Sequence, residues 1–118
     1  MIIGLNEALK MINEEGIDSC IKRHQEVAFK FRQEIKRIGL ELFPKKESWC
    51  SNTVTAINNP EGKSSGSIIK ELLENYNIRV ANGLGDFKGK MIRVGHMGYQ
   101  ADYLKAMKII HAIKEIIS

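Results

Sequence analysis

The sequence has few cysteines, prolines and aromatic residues: two, two and 7% of its 118 residues. Cys20 and Cys50 have no CxxC partner, so reduced thiols are favoured over a disulfide framework. The aromatics do not interleave with basic residues and no long block of like charge occurs, which is unlike a nucleic-acid surface. No apolar run approaches the roughly 18 residues of a membrane span, and the first residues lack a signal-peptide core. We therefore expect a cytoplasmic protein without nucleic-acid or membrane partners.

The length and composition of the chain are typical of a single domain, residues 1–118. Hydrophobic content of 43%, charged content of 27% and a net charge of +4 are ordinary for a globular chain. The first 39 residues show helical periodicity in two stretches. Gly16 is predicted to close the first helix, whose apolar face includes Leu5 and Leu9. Asp18 or Ser19 is predicted to cap the second helix, and Gly39 to end it.

The period changes after Gly39. Short strands are predicted in LELF (residues 40–43), TVTAIN (53–58), IRVA (78–81) and MIRVGH (91–96). A helix capped by Ser64 or Ser65 and closed by Asn77 separates the second and third strands, and a last helix starts near Gln100. The order predicts an α+β fold: a small, mostly antiparallel sheet with helices packed on one face, preceded by two long helices.

The candidate metal ligands are not arranged for binding. His24, His96 and His111 do not have metal-ligand spacing, and no cysteine pair joins them. No metal site is therefore predicted. A Cys–His nucleophile pair would require the fold to bring the two residue types together.

Two neighbouring segments are more informative. In MIRVGHMGY (residues 91–99), Ile92 and Val94 alternate with Arg93, so the guanidinium leaves the sheet on the face opposite the two aliphatics. The preceding NGLGDFKGK (82–90) is not a phosphate loop, because a strand follows it instead of a helix. The segment reads either as a mobile hairpin connector or as a loop that approaches a ligand closely.

These segments, together with EALKMINEEG, RHQEVAFKFRQEIKRIGLELFP and TVTAINNPEG, resemble the C-terminal small domain of class V, fold-type I pyridoxal-phosphate aminotransferases. The similarity is to the alanine–glyoxylate and serine–pyruvate type, and it runs over essentially the whole chain. The order GLG…KGK…RVGHMGY and the early EEG…RH pair are its most specific parts.

The resemblance implies roles for particular residues. Arg93 matches the arginine that grips the substrate's carboxylate, and we expect it at an open edge of the sheet. Gly83, Gly85, Gly95 and His96 would belong to the supporting active-site loop. The resemblance also implies that the large domain, with the cofactor lysine, is missing from this chain. No catalytic residue is then expected here, no pyridoxal phosphate should bind the chain alone, and the full enzyme would be a homodimer.

Two alternatives remain open from the sequence. One is the small domain of a cysteine desulfurase-type enzyme, although KSSGS (residues 63–67) lacks the loop cysteine and Cys50 is poorly placed to replace it. The other is a free-standing α/β ligand-binding or interaction module. The similarity through both N-terminal helices counts against this second reading.

Overall fold

The computed structural model describes all 118 residues, Met1–Ser118. Its helices are α1 (Ile2–Glu15), α2 (Ile17–Arg37), α3 (Ser65–Tyr76) and α4 (Tyr103–Ile117), and its strands are β1 (Val54–Asn58), β2 (Ala81–Asn82) and β3 (Met91–Gly95). The α+β prediction, with two leading helices and a small antiparallel sheet, is confirmed. None of the helices is both long enough and apolar enough to cross a membrane.

The sheet has the order β1-β3-β2, and both pairings are antiparallel. The strand that carries Arg93 is thus the central one. The expectation that Arg93 lies at a sheet edge is wrong, because β1 and β2 cover the two sides of β3. Arg93 lies instead on the open face of the sheet.

The core lies between the other face of the sheet and three helices. Thr55 and Ile57 of β1 oppose Val94 and Ile92 of β3, and all four side chains are buried. Against this face pack apolar residues of α2, α3 and α4, among them Val27, Phe31, Ile35, Ile68, Leu72, Ile110 and Ile113. Alternation along β3 therefore separates the packed face with Ile92 and Val94 from the face that carries Arg93.

The helix ends in the structure agree in part with those predicted from the sequence. Ser64 caps α3 by accepting a hydrogen bond from the Ser67 N–H, and Asn77 closes it in the left-handed conformation, both as predicted. The predicted cap of α2 at Asp18 or Ser19 is wrong. Gly16, with φ of +89°, joins α1 directly to α2, which leaves only one residue between the two helices. Helix α4 begins at Tyr103, capped by Asp102, three residues beyond Gln100.

Two predicted strands are much shorter in the structure. In residues 40–43 only Leu42 forms a bridge, with Ile57, before Pro44 interrupts the pairing. In residues 78–81 only Ala81 is in a strand. The N–H of Ile78 bonds to Leu72 O at 3.0 Å and so belongs to the end of α3, which shortens the strand.

Helix α1 differs from the others because none of its residues is buried. It packs mainly on α2, and Leu5 and Leu9 keep 59% and 51% of their surface exposed. The apolar face read from the sequence exists, but this domain does not bury it.

Candidate active-site face

Arg93 stands on the open face of the sheet between two alanines. Its strand neighbours across the ladder are Ala56 of β1 and Ala81 of β2. Small side chains flank Arg93 on both sides, and the residue is half-buried. Only Nε has a partner in the chain, the backbone O of Asn82 at 2.7 Å. No carboxylate of the chain pairs with Arg93, so the two terminal amino groups remain available for an anion.

Asn82 links Arg93 to the glycine-rich loop. Its side-chain Oδ1 accepts hydrogen bonds from the N–H groups of Gly83 and Gly89, each at 2.8 Å, while its backbone O receives Arg93 Nε. One residue thus closes the loop and orients the guanidinium. Sequence reasoning missed this role; the Asn82-Gly83 dipeptide, a strong turn signal, was the clue available.

The glycines named from the sequence have different structural reasons. A Cβ on Gly83 would lie 2.2 Å from Phe87 O, so only glycine fits there. Gly85 has a φ of +55°, in the left-handed region. A Cβ on Gly95 would meet nothing within 4 Å. The packing of this chain therefore does not require glycine at position 95, which leaves room above the sheet near Arg93.

His96 is placed differently from the other loop residues. Its side chain is only 1% exposed and lies inside the domain, where Nε2 is 2.7 Å from the Thr55 hydroxyl. The ring packs near Phe31, with centroids 5.5 Å apart, and Nδ1 has no hydrogen-bond partner. Burial lowers the pKa of His96, so the ring is held neutral. Any support it gives to the Arg93 face is through the backbone, whose N–H donates to Thr53 O at 2.8 Å.

The segment that follows His96 lies against the first two helices. Residues 97–105 face α1 and the start of α2 across a groove of about 1060 Å³. The sequence did not predict a pair between Cys20 and His24. In the structure the two residues lie one helical turn apart, and Cys20 Sγ is 3.8 Å from His24 Nδ1. Both nitrogens of the His24 ring already have partners. Nδ1 lies 2.8 Å from Cys20 O, and Nε2 accepts a hydrogen bond from the Gly98 N–H. Cys50 packs against the hydrophobic core.

Several known proteins are similar to this chain in sequence. No family model matches the chain. The serine–glyoxylate aminotransferase of Methylorubrum extorquens is 39% identical over 98 residues, which are 83% of this chain and 24% of that protein. The alanine–glyoxylate aminotransferase of Rattus norvegicus is 29% identical over 113 residues, 96% of this chain and 27% of that protein.

The solved structures with a similar fold include the same kind of protein as the sequence relatives. The alanine–glyoxylate aminotransferase of Nostoc superimposes with a TM-score of 0.91 at 32% identity, over 97% of this chain and 30% of that one. This chain is homologous to one part of the serine–glyoxylate and alanine–glyoxylate aminotransferases. The pyridoxamine–pyruvate aminotransferase of Mesorhizobium loti gives a TM-score of 0.92 at 28% identity, over 97% of this chain and 29% of that one. The resemblance read from the motifs is therefore confirmed.

This chain spans about a quarter of the length of the curated relatives it matches. It therefore corresponds to one part of such an enzyme. Within that part, the structure brings Arg93, Asn82 and the glycine-rich loop together, while the side chain of His96 stays inside.

Proposed function

We propose that this chain is the carboxylate-binding domain of an aminotransferase that moves an amino group from alanine or serine to glyoxylate or pyruvate. The relatives' names supply the class of reaction, and Arg93 supplies the binding group. The observation that carries the proposal is the uncovered guanidinium between Ala56 and Ala81, with two unpaired amino groups and no carboxylate of its own chain nearby.

The geometry favours one mode of binding. A guanidinium presents two carboxylate-matching forks, one through Nε and Nη2 and one through Nη1 and Nη2. Because Asn82 O already occupies Nε, the carboxylate binds end-on through Nη1 and Nη2. The pair fixes the substrate's orientation, and the remaining chemistry is supplied elsewhere in the enzyme.

The residues of this chain do not fit the attachment of pyridoxal phosphate. A lysine that forms an imine with the cofactor needs an enclosed environment that keeps its amine uncharged. Eleven of the chain's lysines are exposed, and only Lys63 and Lys105 are half-buried. Lys105 also donates to Tyr99 O at 3.0 Å. The cofactor therefore belongs to the part of the enzyme that the relatives have in addition, and this chain alone is inactive.

Helix α1 offers the surface through which that additional part is held. Its apolar residues are left exposed by this domain, and the relatives are about four times longer than the matched segment. The complete enzyme is proposed to be a cytoplasmic homodimer with small amino acids and 2-oxo acids as its substrates.

The test is a titration of the ¹⁵N-labelled chain with glyoxylate, followed by nuclear magnetic resonance. We expect saturable shifts at Arg93 Nε–H and at the Gly95 amide, with a dissociation constant of about 1–10 mM for one bidentate pair. Arg93→Gln, which removes the guanidinium itself, should abolish the shift at the Gly95 amide. Arg79→Gln, which removes an exposed arginine without a hydrogen-bond partner in the chain, is the matched control. Equal shifts of the Gly95 amide in both variants would refute the proposal.

A further inference from the structure

The turn after β3 is held from outside the sheet by α2. The N–H of Gly98 donates to His24 Nε2 at 2.9 Å, and its carbonyl accepts from Arg23 Nη1 at 2.9 Å. The same Nη1 donates to Ala101 O at 2.6 Å. Both backbone groups of Gly98 are thus bound by neighbouring side chains of one helix, although 74 and 75 positions separate the partners.

The other side of Arg23 is tied to α1. Its Nε and Nη2 donate to the two carboxylate oxygens of Glu15, at 2.6 and 3.0 Å. Hydrogen bonding from Arg23 holds the pKa of Glu15 below its usual value, so the carboxylate stays ionised. Glu15 is the last residue of α1. One guanidinium therefore connects the end of α1 with the turn that follows the Arg93 strand.

The state of the His24 ring follows from its partners. A backbone N–H can only donate, so Nε2 must accept from Gly98. The proton of the neutral ring is therefore on Nδ1, which donates to Cys20 O at 2.8 Å. This arrangement requires one tautomer, and that requirement can be measured.

We infer that Glu15, Arg23 and His24, hereafter the latch, are positioning residues for Arg93. His96 fixes the end of β3 from inside the domain, and the latch fixes Gly98 from outside two residues later. Between these two anchors the strand end is held in place before any ligand arrives. The position of α1 is also coupled to Arg93 through Glu15. What Arg93 binds rests on the proposed function; the coupling itself does not.

The experiment compares Arg23→Lys with the wild-type chain by nuclear magnetic resonance. Lysine keeps the charge but loses the fork that joins Glu15 to the carbonyls. We expect protection of the Gly98 amide against hydrogen exchange to fall about tenfold or more, as the loss of one or two hydrogen bonds implies. Arg93 Nε–H should shift, and glyoxylate affinity should fall about threefold or more. Arg37→Lys is the matched control, because Arg37 lies on the same helix and pairs with Glu34 at 2.9 Å.

The outcomes are distinguishable. A selective loss at Gly98 with a shifted Arg93 Nε–H, while the Val94 amide stays protected, supports the latch. Equal loss at Gly98 and Val94 means a merely structural role and overturns it, as does a Gly98 loss that leaves Arg93 unchanged. If the wild-type chain fails to bind glyoxylate, the proposed function fails, whereas the Arg93 Nε–H shift still decides the latch.

A second measurement needs no variant. Ring ¹⁵N shifts of His24 in the wild-type chain report its tautomer. A proton on Nδ1, with an unprotonated Nε2 coupled to the Gly98 N–H, supports the latch. A neutral ring with its proton on Nε2 overturns it, because such a nitrogen has no lone pair to offer Gly98.

Discussion

Arg93 owes its availability to its immediate neighbours. Alanine at positions 56 and 81 leaves the guanidinium open, and Asn82 O orients it through Nε. The alternation of Ile92, Arg93 and Val94 was enough to predict which face the arginine takes. Its place on the central strand and its contact with Asn82 were not predictable, because both depend on pairing between segments distant in sequence.

Gly83 and Gly95 should respond differently to the same change. Gly83→Ala places a methyl group against Phe87 O, and we expect a loss of about 1–3 kcal/mol in the free energy of unfolding. Gly95→Ala meets open space and should change that free energy by less than about 0.5 kcal/mol. Urea denaturation of the two variants measures both values. A Gly95→Ala variant as unstable as Gly83→Ala would contradict the description of the open face.

His96 makes stability depend on pH. Because its pKa in the fold is lowered below the ordinary 6.5, the unfolded chain binds more protons in the window just under that value. The free energy of unfolding should therefore fall as the pH drops below about 6.5, by at most about 1.4 kcal/mol per pH unit for one proton. Above that pH the contribution of His96 to the free energy of unfolding is constant.

The pH effect of His96 has a matched control. His96→Gln should flatten the slope of stability between pH 6.5 and about 5.5, about one unit above the ordinary glutamate pKa of 4.5. His111→Gln, on the exposed side of α4, should leave it unchanged. Chemical denaturation at a series of pH values provides the slopes, and equal slopes for His96→Gln and the wild-type chain would contradict the assignment.

Among the long helices, α1 is the one whose apolar face is left without a buried residue. The sequence predicted this helix and its face from spacing alone, because spacing depends only on local geometry. It could not predict whether the face is buried, since burial depends on which other elements reach it. The same limit explains residues 40–43 and 78–81, whose strand-like composition was overridden by Pro44 and by the end of α3.

Helix α1 should accordingly contribute little to the stability of this domain. We expect Leu9→Ala to change the free energy of unfolding by less than about 0.5 kcal/mol. Leu72→Ala, at a fully buried position of α3, should cost about 2–5 kcal/mol. Thermal or urea denaturation of both variants gives the comparison. A cost at Leu9 similar to that at Leu72 would show that α1 is buried in the chain's own core.

The whole molecule is more extended than a compact domain of its length. Its radius of gyration is 15.1 Å, and its longest dimension is 45 Å against 29 and 28 Å for the other two. The general scaling for 118 residues gives about 13.5 Å. Helix α1, none of whose residues is buried, lies outside the core, while the open face of the sheet presents Arg93. The apolar face of α1 and the face of the sheet that carries Arg93 are thus the two surfaces that the core leaves uncovered.

The most direct test of the account is a crystal structure of the chain with glyoxylate. We expect both carboxylate oxygens to lie about 2.7–2.9 Å from Nη1 and Nη2 of Arg93, the distances of charge-assisted hydrogen bonds. Nε should remain on the Asn82 carbonyl, and the space above Gly95 should be occupied by the ligand. A structure with Arg93 paired to a carboxylate of its own chain, and glyoxylate absent from this face at saturating concentration, would contradict the account.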